Sequence, residues 1–391
     1  MKRPTFLTLL SMTVYTASFS RAFRIATRIT RQQQTARTLQ QGSPLSAASL
    51  LGPPANAETE VKEEPNFNVR APLKFIGPYP CLGVRFPYLA TAAQQERNES
   101  GVTLDFVLDT AANTNTINAQ VAQALNLTVI GQAPPGMGSA GPIKGDLPTF
   151  FLGDMQLEGL GEEIFMQNLT ASSLPIASPA SAGLLSLSFF QSIGEGVGFD
   201  WHGDTEARIP PSLTFYSDAT NATQGRKCVQ VTRRPLTQLP SVEVEINGHV
   251  FPALLDTGSP ITVLNAQAAR TAGITTALDA DDQPKNPLNF LKGRFEQAQA
   301  ASRGQLLTIF GSDGRRHNLL QSNESLNVRI PTVDHDVVDF GRGHVYVGNL
   351  PGLAALQGLG DDAPPAIVLG MDVLRRNRHM YFRPLSNQVW F

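Results

Sequence analysis

Residues 250–265 read VFPALLDTGSPITVLN, and this stretch decides the fold. Ala253, Leu254 and Leu255 run into Asp256-Thr257-Gly258-Ser259, and Ile261, Val263 and Leu264 follow at once. A carboxylate between two apolar strands is costly to bury unless it is paired or used. The hydroxyls of Thr257 and Ser259 mark a place where the charge is wanted, and Gly258 marks a backbone that passes close to something. Residues 104–120, LDFVLDTAANTNTINAQ, repeat the pattern around Asp109. Asn118-Ala119-Gln120 and Asn265-Ala266-Gln267 begin at the same offset after their aspartates, and Ala122 and Ala269 also correspond. Such an internal repeat means two lobes, each offering one aspartate on a strand-turn element.

With these residues in place, the chain resembles the aspartic proteases, as two retropepsin-like lobes in one polypeptide. The second lobe carries Leu254-Leu255-Asp256-Thr257-Gly258 and, later, Val368-Leu369-Gly370. The first carries Asp109-Thr110-Ala111 and Leu184-Leu185-Ser186, with Ala and Ser where the family has Gly. The resemblance covers residues 73–391. It implies an all-β, bilobal aspartic protease fold, two retropepsin-like β-barrel lobes about a pseudo-twofold axis. It also implies an aspartic endopeptidase in which a water activated by the Asp109–Asp256 dyad hydrolyses peptide bonds, one proton being shared between the two carboxylates. No cofactor and no metal enter that chemistry.

Within the resemblance, Thr110, Ala111, Thr257, Gly258 and Ser259 support the dyad. The threonines bridge the lobes, and Gly258 lets backbone amides reach the carboxylates. Ala111 adds a methyl group at the equivalent point, and Ser186 replaces the glycine of a segment that packs against the Asp109 turn. The Ser259 hydroxyl is expected to donate to the outer oxygen of Asp256, a bond that lowers a carboxylate pKa, whereas Ala112 offers Asp109 no such donor. Asp109 is therefore expected to hold the proton more often. The retropepsin pattern places the flap at residues 131–145, GQAPPGMGSAGPIKG, with Gly136, Met137, Gly138 and Ser139 towards substrate. A surface loop without function reads the same way, and the absence of Tyr departs from the pepsin-type flap. The alternative reading is a catalytically weakened aspartic-protease-like protein that binds peptides or proteins without cleaving them.

The start of the chain reads as a leader. No Asp or Glu precedes Glu58, while Lys2, Arg3, Arg21, Arg24, Arg28, Arg31 and Arg37 are basic. Residues 1–22 read as a signal peptide with a short apolar run, and residues 23–57, opening on Phe23, as a transit-like segment. The order resembles secondary-plastid leaders and points to a plastid, with the thylakoid lumen as one destination. An ordinary secretory or endomembrane signal with a propeptide is the alternative. Residues 58–72 read as a linker, 73–218 as lobe one, 219–227 as a linker and 228–391 as lobe two. Of 31 Lys and Arg, the seven in the leader leave 24 against 33 Asp and Glu, a balance that excludes a nucleic-acid partner. No later stretch is apolar for long enough to span a bilayer. Peptide or protein substrate is the expected partner, and the chain, holding both aspartates, is expected to be a monomer.

Finer expectations follow. A polar loop at Gln94–Asn98 should join two strands, and Asn247-Gly248 should turn a hairpin whose second arm ends at Asp256. Val345–Asn349 matches Phe150–Asp154. The second lobe carries an insertion of about forty residues by its spacing, read as lying mostly within 279–327, as a lid or specificity element. The six histidines lack metal spacing, and Asp334-His335-Asp336 reads as a solvated loop. Sequons occur at Asn98, Asn126, Asn168, Asn221 and Asn323. Cys81 and Cys228 stand equally far before their aspartates; they form either an inter-lobe disulfide or, the preferred reading, two free thiols.

Overall fold

The computed structural model describes residues 68–133, 137–138, 141–142, 147–162, 165–174, 181–235, 237–276, 300–310, 316–359 and 362–391. The leader and most of the first linker lie outside these residues. Lobe one contains β1 (Val69–Ile76), β2 (Tyr79–Phe86), β3 (Val102–Leu108), β4 (Thr116–Asn118), β5 (Val129–Ala133), β6 (Met137–Gly138), β7 (Gly141–Pro142), β8 (Leu147–Leu157), β9 (Met166–Leu174) and β10 (Gly183–Leu185). β11 (Val197–Asp200) and β12 (Ser212–Phe215) follow. Lobe two contains β13 (Cys228–Gln230), β14 (Thr232–Arg233), β15 (Pro240–Ile246), β16 (His249–Leu255), β17 (Val263–Leu264), β18 (Leu306–Phe310), β19 (Arg316–Gln321), β20 (Leu326–Pro331), β21 (Val337–Gly343), β22 (Tyr346–Val347), β23 (Ile367–Leu369), β24 (His379–Arg383) and β25 (Gln388–Trp390). Short helices punctuate them: α1 (Ala92–Glu96), α2 (Ala119–Ala124), α3 (Leu187–Gln191), α4 (Thr220–Thr223), α5 (Ala266–Thr271) and α6 (Met371–Leu374).

The all-β, two-lobed architecture expected from the repeat is the architecture observed. β3 delivers Asp109, and β10 runs parallel beside it with Leu185 opposite Leu108. β16 delivers Asp256, and β23 runs parallel beside it with Leu369 opposite Leu255. β4 and β17 then pair antiparallel with β10 and β23. The strand ends that lead into the aspartates are apolar because both faces are covered there, and Leu108, Leu185, Leu255 and Leu369 are fully buried. β15 instead alternates, with Val242, Val244 and Ile246 inward and Glu243 outward. Asn247 (φ 51°) and Gly248 (φ 78°) both take the left-handed conformation of a tight two-residue hairpin turn.

Between the lobes a shared sheet runs β13-β25-β24-β11-β12-β1. β1 starts at Val69, ahead of the boundary read at 73, and serves two sheets: Val69–Pro72 pair with β12 and Leu73–Ile76 with β2. Trp201, Phe199, Phe215 and Phe382 fill the core beside this sheet, so the lobes are joined by packing as well as by chain.

Three expectations are corrected. The polar loop at residues 94–98 contains most of α1, whose start is secured by a capping box between Thr91 and Gln94. The counterpart of β22 is β9, not Phe150–Asp154: β22 pairs in parallel with β17 as β9 does with β4. Leu306–Phe310 and Arg316–Gln321 are not part of a lid. β18 and β19 form a hairpin that extends the sheet through β22, as β5 and β8 do in lobe one, so the extra length lies ahead of β18. Asp336 pairs with Lys227 at 2.7 Å in an exposed turn, which accounts for the Asp334–Asp336 stretch.

Cys81 and Cys228 are both free. The equal spacing is accidental, because β2 and β3 are joined by a long connection holding α1 while β15 and β16 are joined by the turn at Asn247-Gly248. Cys81 lies opposite Val107 and is fully buried, and burial pushes its thiol up to about 11. Cys228 is half-buried on β13. Thiol titration of the unfolded, unreduced protein should find two groups. In the folded protein Cys228 should react first and Cys81 should be protected until unfolding. Equal native reactivity of the two would contradict this placement.

Candidate active site

Asp109 and Asp256 each follow a buried β-strand and open the same turn. Asp109 donates its backbone N–H to the Leu185 carbonyl (2.9 Å), and Asp256 to that of Leu369 (3.1 Å). The inner oxygen of each carboxylate is held by an amide two residues on. Ala111 N–H donates to Asp109 Oδ1 (2.8 Å), and Gly258 N–H to Asp256 Oδ1 (2.9 Å). The turns are pinned from behind by Leu187 N–H to the Ala112 carbonyl and Met371 N–H to the Ser259 carbonyl. Each step in one lobe has its equivalent in the other.

The lobes are locked together at the threonines. Thr110 Oγ1 donates to the Leu255 carbonyl and Thr257 Oγ1 to the Leu108 carbonyl, both at 2.7 Å. In return, Thr110 N–H donates to Thr257 Oγ1 and Thr257 N–H to Thr110 Oγ1, both at 3.1 Å. Both threonines are fully buried, so neither set of bonds competes with water.

This grip presses the two turns face to face. A methyl group added at Gly258 would lie 2.5 Å from Asp109 Oδ2 and 2.8 Å from Oδ1, inside contact distance. Gly258 of lobe two therefore abuts the carboxyl of lobe one. Ala111 stands at the equivalent position with its methyl buried, so strict twofold symmetry cannot hold here. Asp109 is 5% exposed and Asp256 0%, an arrangement that disfavours charge on both. Burial pushes Asp109 up to about 6, against the pull of the Ala111 and Ala112 amides.

Ser186 is not a defect. Its hydroxyl caps α3, accepting from Ser188 N–H, and donates to Asn115 Oδ1 at 3.0 Å. Asn115 Oδ1 also receives the Ser186 N–H. In lobe two Gly370 N–H donates to Thr262 Oγ1, which donates to Asp372 Oδ1 at 2.7 Å. Gly370 has no room for a side chain, which would overlap the Ile261 carbonyl group. The repeat contains these positions, since Asn115 and Thr262 follow their aspartates at the same offset, but their unlike side chains hide the equivalence.

The expected role of Ser259 is corrected. Its hydroxyl donates to the Ile261 carbonyl (2.8 Å) and shapes the turn, so its proton is not directed at Asp256. Ala112 brings no hydroxyl to Asp109, yet its amide, after that of Ala111, lowers the carboxyl against the effect of burial. Ser259→Ala should consequently leave the acidic limb of a pH–rate profile in place; a shift of that limb to higher pH would restore the original assignment. Tyr79, at the start of β2, escaped sequence reading. Burial, then the charges of Asp256 and Asp109, raise its phenol above the ordinary range. Of the flap residues, Met137 and Gly138 form β6, paired with β7, and β7 lies beside the 3-10 turn Pro351–Leu356 of lobe two. Gly136 and Ser139 lie outside the described residues.

Two buried carboxylates, brought together from two pseudo-equivalent β lobes by reciprocal threonine bonds, define a single-chain protein of aspartic protease type. A model of the aspartyl protease family matches residues 98–189 and 242–284, the segments that contain Asp109 and Asp256. Over these two segments the chain is similar to the aspartic protease family. Among solved structures it is similar to basic 7S globulin from soybean, at 14% identity over 84% of this chain and 96% of that one, with a TM-score of 0.44. It is also similar to conglutin gamma, a basic 7S globulin from lupine seeds, at 11% identity over 83% and 94%, with a TM-score of 0.40. No curated protein matches the chain.

Proposed function

We propose that the protein is an aspartic endopeptidase acting on peptide or protein substrates as a monomer. The observation that carries this reading is the reciprocal grip of Thr110 and Thr257, which sets Asp109 and Asp256 against each other with both inner oxygens held by amides. At this distance from water the pair shares one proton. The ionised partner takes a proton from a water as that water attacks the scissile carbonyl, and the protonated partner donates to the carbonyl oxygen. The resulting diol then collapses, giving a hydroxyl proton to the carboxylate that is now ionised, while the leaving amine takes its proton from the other carboxyl. Burial disfavours charge on both carboxyls, Asp256 being the more enclosed, so the shared proton is assigned to the pair and not to either partner alone.

The alternative, a protein that binds peptide without cutting it, draws on the buried Ala111 methyl where the family has glycine. A cleavage assay on an unfolded polypeptide across the acidic range, with and without pepstatin, separates the two. The enzyme reading expects cleavage that pepstatin abolishes and that declines as pH rises past about 6. Pepstatin binding without any cleavage would establish the binding protein.

A further inference from the structure

A second polar site lies away from the dyad, on one face of the interlobe sheet. Strand alternation puts Ser212 and Thr214 of β12 on that face, with Tyr216 just past its end, Asp200 of β11, His379 of β24 and Arg70 of β1. Arg226, at the end of the linker behind α4, closes one side. The cleft they enclose has a volume of about 190 Å³. Gly198 keeps it open, because any side chain there would collide with the Tyr216 ring, which meets Tyr381 edge-on at 5.3 Å.

The donors outnumber the acceptors. Asp200 is the acid in the lining, and it is already engaged by Arg378 Nε (3.3 Å), by Arg70 (3.8 Å) and by the Gly203 and His202 amides. Ser212 Oγ accepts from Arg70 Nε at 2.7 Å, which leaves its own proton for another acceptor. Arg226 uses Nε on the Ala222 carbonyl, 2.8 Å away. We propose that this cleft binds a doubly charged tetrahedral oxyanion, either inorganic phosphate or the phosphoryl group of a small phosphomonoester. Two guanidinium groups, an imidazole and a serine hydroxyl match such an anion in charge and in donors. The walls come from both lobes and the linker, so the bound anion ties the lobes together.

His379 supplies an internal reporter. Burial and then the Arg226 charge hold its imidazole below the ordinary range; Arg378 and His202 act in the same direction and Asp200 opposes them. An anion between Arg226 and His379 reverses this balance.

The test uses the full chain, so it does not depend on protease activity. Phosphate should raise the unfolding temperature saturably above that in sodium chloride of equal ionic strength. The His379 ring signal in NMR should titrate about one pH unit higher with phosphate than with chloride. Arg226→Gln should weaken phosphate binding roughly tenfold or more. Tighter binding of glycerol phosphate than of inorganic phosphate assigns the site to a phosphomonoester, and the reverse order assigns it to the free ion. An unmoved His379 titration with both ligands overturns the proposal, as does an Arg226→Gln variant that binds phosphate like wild type. If that variant does not fold, the wild-type His379 titration decides.

Discussion

Asp109→Asn is expected to abolish peptide cleavage and, at neutral pH, to make the protein more stable. The catalytic loss follows from the shared proton: an amide cannot take part in the exchange, and removing acid–base catalysis of this kind costs about 10²–10⁴-fold. The stability gain follows from burial. Asp109 has an ordinary value of 3.8 and is pushed up to about 6 in the folded protein. A folded-state pKa raised above the unfolded one means that the folded state holds its proton more tightly. Stability from this group is therefore fully present below the unfolded value and is lost as pH rises towards 6, by on the order of 3 kcal/mol. Asparagine carries no charge to lose. The variant should melt a few degrees higher than wild type at neutral pH and at about the same temperature near pH 4. Asp256→Asn should be equally inactive. Near-normal cleavage by Asp109→Asn would point to a homodimer built from second lobes instead of a dyad within one chain.

Gly258→Ala should damage both stability and cleavage. The added carbon would press on the carboxyl of Asp109 across the lobe junction, with Oδ2 at 2.5 Å. The carboxyl cannot retreat freely, since Ala111 N–H fixes Oδ1 and the Thr110–Thr257 bonds fix the backbone beneath it. Overpacking of this sort costs about 1–3 kcal/mol. The displaced carboxyl should lower cleavage roughly 100-fold, as about an ångström of misplacement does. The reciprocal change, Ala111→Gly, should alter activity much less, because the native turn already accommodates that methyl. A Gly258→Ala enzyme with wild-type rate and melting temperature would show that the two turns do not meet as described.

The difference between these two positions marks the limit of what the sequence discloses. The repeat around Asp109 and Asp256 placed both aspartates on strand-turn elements, and alternation in residues 242–246 with Asn247-Gly248 placed the hairpin behind Asp256. These features are local and periodic, so residue type reports them directly. Hydroxyl partners are not periodic. Ser259 was expected to face Asp256, yet the turn brings the Ile261 carbonyl to it first. Ser186 read as a loss of glycine, and only the arrival of Asn115 and Ser188 shows it to be a cap. The Tyr79 phenol is raised by the charges of Asp256 and Asp109 although it stands thirty residues upstream of Asp109 in the chain. The β18–β19 hairpin was absorbed into an apparent insertion because its place in the sheet is set by pairing with β22, a contact between strands distant in the chain.

The central claim is that the two lobes jointly activate a water against a peptide bond. It is tested most directly by digesting an unfolded polypeptide in ¹⁸O-labelled water at acidic pH and weighing the products. The account predicts that each new C-terminal carboxyl carries one ¹⁸O and that Asp109→Asn or pepstatin leaves the polypeptide intact. A polypeptide left uncut by the folded wild-type protein across the acidic range, or cleavage that survives the loss of Asp109, would contradict it.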